Sequence, residues 1–189
     1  MRIIAGQYKG RRLESVSVNG IRPTSDRVRE AVFNIISNRL SGAAVLDIFA
    51  GTGALGLEAL SRGADRATFV DASKQACELI QKNALRCGIQ EHCDIICHDI
   101  SQTLPPEQLK NNKFSLIFMD PPYASPLFKE TLSSGILTDL LTTDGMVIAE
   151  HSTKESLPHP ITGLDIHDQR KYGKTLISFL RPAPGQVKD

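Results

Sequence analysis

From residue 41 onward the sequence predicts an α/β fold, a doubly wound and mainly parallel sheet that closes with an antiparallel C-terminal hairpin. An N-terminal β-hairpin and helix are expected as an extension in front of it. Three observations predict this. Short apolar runs of strand length alternate with helical patterns, the signature of βαβ units. Four successive runs end in aspartate. The last two runs are joined by a short polar connection containing one glycine, which suits a hairpin.

The elements follow in order. Arg2–Ala5 and Arg11–Val16 flank the Gly-containing turn Gly6-Gln7-Tyr8-Lys9-Gly10 and read as a hairpin. Pro23-Thr24-Ser25 opens a helix with Val28, Ala31, Val32, Ile35 and Ile36 as its apolar stripe and Arg27 and Arg29 on the opposite face. Ala44–Ile48, Ala67–Val70, Asp94–Cys97 and Phe114–Met119 are the apolar runs of a buried parallel sheet. Helical patterns lie between them, from Leu55 to Leu60 and over Ala76, Leu79, Ile80, Asn83 and Ala84. Met146–Ala149 is a fifth strand after the turn signal Asp144-Gly145. Leu164–His167 and Thr175–Leu180, joined by Asp168-Gln169-Arg170-Lys171-Tyr172-Gly173, form the closing hairpin. The expected organisation is an extension over 1–40, a body over 41–181 and a loose tail over 182–189.

The 189 residues are 41% hydrophobic and 23% charged, ordinary for one soluble domain. No apolar run approaches a membrane span, and the N-terminus lacks the apolar stretch of a secretory signal, so a cytoplasmic protein is expected. The net charge of +1 is unevenly spread. Residues 1–40 hold eight basic side chains against three acidic ones, a net +5, which leaves −4 on the rest. A basic end on a mildly acidic body suits contact with a polyanion. The cysteines Cys77, Cys87, Cys93 and Cys97, even with His92 and His98, do not read as a metal site. Cys93 and Cys97 share a strand, where residues four apart lie about 13 Å from each other, too far for one zinc ion.

In an open α/β sheet, ligands bind beyond the carboxyl ends of the strands. Asp47, Asp71, Asp99 and Asp120 all stand there. One such aspartate is commonly a helix N-cap, but four in succession suit a donor-rich and cationic ligand. Gly51-Thr52-Gly53-Ala54-Leu55-Gly56 satisfies the dinucleotide fingerprint, with Asp71 twenty residues after Gly51. Asp47, four residues before the loop, argues against a pyrophosphate. Like charges about 5 Å apart at an effective dielectric near 20 repel by roughly 3 kcal/mol. S-adenosylmethionine carries no phosphate, but has an ammonium, a sulfonium, a ribose diol and an adenine amine. The glycines allow close backbone approach to it.

Asp120-Pro121-Pro122-Tyr123 follows directly on a strand. Two prolines neither continue a strand nor donate hydrogen bonds, so the Asp120 carboxylate and the Pro121 carbonyl become fixed acceptors. An exocyclic amine held by both turns its lone pair out of conjugation, and Tyr123 offers a face on which a flat base stacks.

Asp-Pro-Pro-Tyr together with Asp47-Ile48-Phe49-Ala50-Gly51-Thr52-Gly53 resembles the class I S-adenosylmethionine-dependent amino-methyltransferases. Further stretches narrow the likeness: Met1-Arg2-Ile3-Ile4-Ala5-Gly6, Lys9-Gly10-Arg11, Ile21-Arg22-Pro23-Thr24-Ser25-Asp26-Arg27-Val28-Arg29-Glu30, Gly56–Ala64, Ala149-Glu150-His151 and Tyr172-Gly173-Lys174-Thr175. With these the chain is similar, to about residue 180, to the bacterial small-subunit (16S) rRNA guanine-N2 methyltransferases. Thr52 stands where that family often has serine, and Asp71 where it often has glutamate.

The resemblance implies a class I methyltransferase, Rossmann-like fold and methyl transfer from S-adenosylmethionine to N2 of one guanine in 16S rRNA. It places Asp120, Pro121, Pro122 and Tyr123 at the target amine. Asp71 is expected at the ribose, Asp99 and Ile100 at the adenine, and Asp47 with Phe49, Ala50, Gly51, Thr52 and Gly53 at the methionine end. Lys9, Arg11, Arg12, Arg22, Arg27 and Arg29 are the expected contacts to rRNA or an assembling small subunit. A monomer without metal or membrane attachment completes the expectation. A methyltransferase for adenine N6 in DNA or another RNA would keep every motif from Asp47 to Tyr123. An NAD-dependent oxidoreductase needs an acid/base pair for hydride transfer, and none stands out. A non-catalytic RNA-binding module is expected to lose Asp-Pro-Pro-Tyr.

Overall fold

Seven strands form one sheet in the order β3-β2-β1-β4-β5-β7-β6. They are β1 (Ala44–Ile48), β2 (Arg66–Asp71), β3 (Cys93–Cys97), β4 (Phe114–Met119), β5 (Leu141–Ser152), β6 (Leu164–Tyr172) and β7 (Thr175–Pro182). The computed structural model describes residues 1–15, 26–100, 107–122 and 125–185. Strands β1 to β5 run parallel, and β7 is antiparallel to both β5 and β6. The chain therefore steps outward from β1 to β3 and then returns to β4 on the other side of β1. That reversal opens a crevice over the carboxyl ends of β1 and β4.

Among the described residues five α-helices cover the sheet: α1 (Asp26–Ile35), α2 (Ala54–Ser61), α3 (Lys74–Cys87), α4 (Leu127–Ser133) and α5 (Ile136–Leu140). On one face, Val45, Phe69, Phe118, Ile148 and Phe179 pack against Val32, Phe33, Leu57 and Ile80. On the other, Leu46, Met119, Val147 and Ala149 pack against Phe128, Leu132, Ile136 and Leu140. Alternate residues of each central strand thus enter opposite cores, which is why these strands read as unbroken apolar runs.

The expected elements recur with longer strands. β5 begins at Leu141 and carries Asp144-Gly145 inside it, where a turn was expected. The register against β4 shifts between Phe114 and Leu116, so the turn signal marks an irregularity in the ladder. A Cβ on Gly145 would lie 2.5 Å from the Leu141 side chain, which accounts for glycine there. β6 and β7 extend to within two residues of each other, and only Gly173-Lys174 joins them. Helices α4 and α5 were not expected from the sequence; both are short and together span 14 residues.

The N-terminal segment departs most from expectation. Among the described residues its hairpin is reduced to one bridge, Arg2 with Arg12. The reason is competition for donors: the Ile4 and Ala5 amides donate to the Glu58 carboxylate, and the Gln7 and Tyr8 amides to the Ser61 carbonyl and hydroxyl. α1 buries Val32, Phe33 and Arg29, while Ile35 of the expected stripe is exposed. The expected helix start at Pro23-Thr24-Ser25 lies outside the described residues. Ile3, Leu13 and Ile36 share a core with β1, β2 and β4, so the segment is built into one face of the body.

Candidate active site

Because β1 to β4 are parallel, their carboxyl ends lie along one edge of the sheet, and the four aspartates lie along it too. Asp47 is 1% exposed, and its Oδ2 accepts the Gly56 amide at 3.0 Å. Burial pushes its carboxyl well above the usual carboxylate range, and the charges of Asp120 and Asp71 add to the effect against the Gly56 N–H. A buried acid surrounded by acids is stabilised by a cation, and an anion beside it is unfavourable.

The loop after β1 is held by its neighbours. Phe49 has φ 64°, a left-handed conformation that costs a side-chain-bearing residue free energy, and Gly51 and Gly53 have φ of 54° and 74°. Asp71 fastens this loop. Its Oδ2 accepts the Gly51 amide and its Oδ1 the Ser73 amide, both at 2.8 Å. The Ala50 amide donates to the Val70 carbonyl, and the Gly53 amide to that of Ala50. A Cβ on Gly51 would meet nothing closer than the Phe49 carbonyl oxygen at 3.9 Å, so its surroundings are open. A buried carboxyl that favours a cation, a bare backbone loop and a second carboxylate at the next strand end together fit S-adenosylmethionine.

Asp99 is half-buried just beyond β3, and Ile100 is buried in the core that also holds Val70 and Ile48. Asp120 is half-buried at the end of β4, Pro121 is buried and Pro122 exposed. The Pro122 carbonyl accepts the Ser125 amide. Tyr123 lies outside the described residues, as does Arg22.

Two polar residues that sequence reasoning did not single out hold the site. Glu58 is fully buried on α2, where its Oε1 accepts Arg62 Nε at 2.7 Å and the Ala5 amide, and its Oε2 accepts the Ile4 amide. Asn83, also fully buried, donates to the Thr52 and Glu14 carbonyls and accepts the Glu14 amide. Its one side chain ties the glycine loop to the N-terminal segment. A polar residue within an apolar helical stripe was the available signal.

The basic residues divide. Lys9, Arg12 and Arg27 are exposed. Arg11 is exposed too, but it donates to the Arg86 and Cys87 carbonyls at the end of α3 and lies over the Tyr8 ring at 5.1 Å. It therefore satisfies a helix C-terminus. Arg29, expected to face RNA, is 1% exposed and bonds Asp26 and the Arg2 carbonyl. It faces inward because it precedes Phe33 by one turn, and Phe33 packs on Phe118 at 5.4 Å.

A family model described as "Conserved hypothetical protein 95" matches residues 1–181. "Ribosomal RNA small subunit methyltransferase D" of Escherichia coli (strain K12) is 32% identical, covering 98% of this chain and 92% of its own length. The solved structure of Escherichia coli yhhF superposes with a TM-score of 0.81 at 30% identity, over 100% of this chain and 99% of that one. A ribosomal protein L11 methylase from Lactobacillus delbrueckii subsp. bulgaricus, 16% identical, shares the fold with a TM-score of 0.66 over 84% of this chain and 80% of that one.

Proposed function

The chain belongs to the family described as Conserved hypothetical protein 95 and has the class I methyltransferase fold, and on that basis we propose that it methylates small-subunit rRNA with S-adenosylmethionine, at the exocyclic N2 of a guanine. The observation that carries this reading is Asp120-Pro121 at the end of β4, beside the buried Asp47 and the loop that Asp71 fastens. The likeness to a small-subunit rRNA methyltransferase over nearly the whole of both chains supports the substrate class.

S-adenosylmethionine, when bound, supplies an electrophilic methyl group on a sulfonium. Asp47 and the backbone of Phe49–Gly53 hold the cationic methionine end, Asp71 accepts from the ribose hydroxyls, and Asp99 with Ile100 takes the adenine. Asp71 already accepts two backbone amides, so the ribose contact uses its remaining lone pairs. Asp120 and the Pro121 carbonyl accept the two hydrogens of the target amine, which aims the nitrogen lone pair at the methyl carbon. As the nitrogen–methyl bond formed, the carbon–sulfur bond would break and S-adenosylhomocysteine would leave; the Asp120 carboxylate would stabilise the positive charge growing on the nitrogen and take the proton that it releases. The base must leave its stack to reach the edge of the sheet. Tyr123 supplies the face that receives it.

The test is methyl transfer from labelled S-adenosylmethionine to small subunits or rRNA from cells lacking this protein, with the modified nucleotide identified by mass. The wild type is expected to produce N2-methylguanine. Asp120→Ala is expected to reduce turnover by roughly 100-fold or more while S-adenosylhomocysteine still binds, because the lost acceptor acts in the transition state. Methylation of adenine N6, or near-normal turnover in Asp120→Ala, contradicts the proposal.

A further inference from the structure

We propose that Glu150 is a specificity-determining residue that reads the N1–H of the target guanine; this rests on the function proposed above. β4 and β5 are parallel, and their last paired residues are Met119 and Ala149. Asp120 and Glu150 are the next residues along the two strands. Phe118 and Ile148 belong to one core, Met119 and Ala149 to the other, so alternation returns Asp120 and Glu150 to the Phe118 face. Asp47 is on that face as well, since its carboxylate meets α2 through Gly56 and its neighbours Leu46 and Ile48 enter the opposite core. Adjacent strands lie about 4.8 Å apart, so the Glu150 side chain starts one strand away from the group that holds the target amine. On the far side β7 places Ile177 opposite Glu150.

The chemistry of the bases gives this placement its meaning. Guanine carries its N2 amine between N1–H and the acceptor N3, so on the N1 side two donors stand next to each other. In adenine the N6 amine is flanked by N1 and N7, both acceptors. Asp120 alone holds an amine of either base. A second carboxylate beside it accepts N1–H from guanine and meets a lone pair on adenine. Glu150 is 8% exposed, so its charge acts in surroundings of low dielectric where a single donor is strongly favoured. Sites built to bond a polar group reject analogues that lack it far more strongly than apolar pockets reject a missing methylene.

2-Aminopurine tests this directly, because it keeps the C2 amine but has a bare acceptor at N1. Two RNA substrates, with guanine or 2-aminopurine at the target position, are compared by kcat/KM. Wild type is expected to prefer guanine by about 100-fold or more. Glu150→Gln can donate its amide to the bare N1, so the preference is expected to narrow at least tenfold while S-adenosylhomocysteine binding is unchanged. Glu150→Asp keeps the charge and should keep the preference for guanine at lower turnover. An unchanged preference in Glu150→Gln overturns the assignment. So do equal kcat/KM values on the two RNAs with wild type, a result independent of how any variant folds. Absence of transfer to the guanine RNA by wild type instead refutes the proposed function itself.

Discussion

Asp47 sits where stability and ligand binding pull in opposite directions. Its raised folded-state pKa means that the folded protein holds this proton more tightly than the unfolded chain does. The contribution of this group to stability therefore falls as pH rises from the ordinary carboxylate range through its folded value. Asp47→Asn keeps an oxygen to accept the Gly56 amide and removes the buried ionisable group. The variant is expected to melt at higher temperature than wild type at pH 8 without ligand, with the gap closing as pH approaches 4. It is also expected to bind S-adenosylhomocysteine more weakly, since in the proposed site the carboxylate that would meet the ligand's ammonium is gone. Thermal unfolding with and without ligand across that pH range measures both. A lower ligand-free melting temperature at pH 8 would contradict the account.

At the scale of elements, the contact that decides most is the one between the N-terminal segment and α2. Glu58 has no exposure, and three donors converge on it: the Ile4 and Ala5 amides and Arg62 Nε. Arg62 in turn lies over the Phe33 ring of α1 at 5.0 Å, so one carboxylate connects the segment, α2 and α1. Removing one partner of such a buried ion pair leaves the others desolvated and unpaired, at a cost of about 3–5 kcal/mol. Glu58→Ala is expected to lose that much in denaturant unfolding and to expose the first 15 residues to proteolysis. A loss below about 1 kcal/mol would mean that the segment docks by its apolar side chains alone. Gly6 completes the contact: with φ 82°, a Cβ there would fall 1.8 Å from the Ser61 carbonyl oxygen.

Across the whole molecule, the charge imbalance remains but fewer side chains are available to act on RNA. Of the six basic residues expected at the interface, Arg29 is inside the protein and Arg11 is engaged at the end of α3. Lys9, Arg12 and Arg27 are exposed. Changing these three to alanine is expected to weaken rRNA binding and to make its log–log salt dependence shallower by about two to three, close to one unit for each phosphate that is no longer neutralised. Cofactor affinity should not move. An unchanged slope in a filter-binding titration would place the RNA footprint elsewhere. The tip of the β6–β7 hairpin is the next surface to test, because Arg170, Lys171 and Lys174 are exposed there and β7 pairs Thr175 with Ser152 at the carboxyl end of β5.

The sequence by itself determined the alternation of elements, the glycine loop, the aspartates at four strand ends and the Asp-Pro-Pro-Tyr motif. Each of these is local, legible within a dozen residues because periodicity and turn chemistry act between near neighbours. α4 and α5 escaped because helices of seven and five residues are too short to display a period. Tertiary structure decided the rest. Arg29 reads as a surface cation until α1 is laid on β4, and Glu14 meets Asn83 across 69 positions of chain. The register that sets Glu150 one residue beyond Ala149, as Asp120 is beyond Met119, exists only once β4 and β5 pair. Burial and cross-strand register are relations between distant residues, so local pattern does not encode them, and they decide which charges face a ligand and which hold the fold.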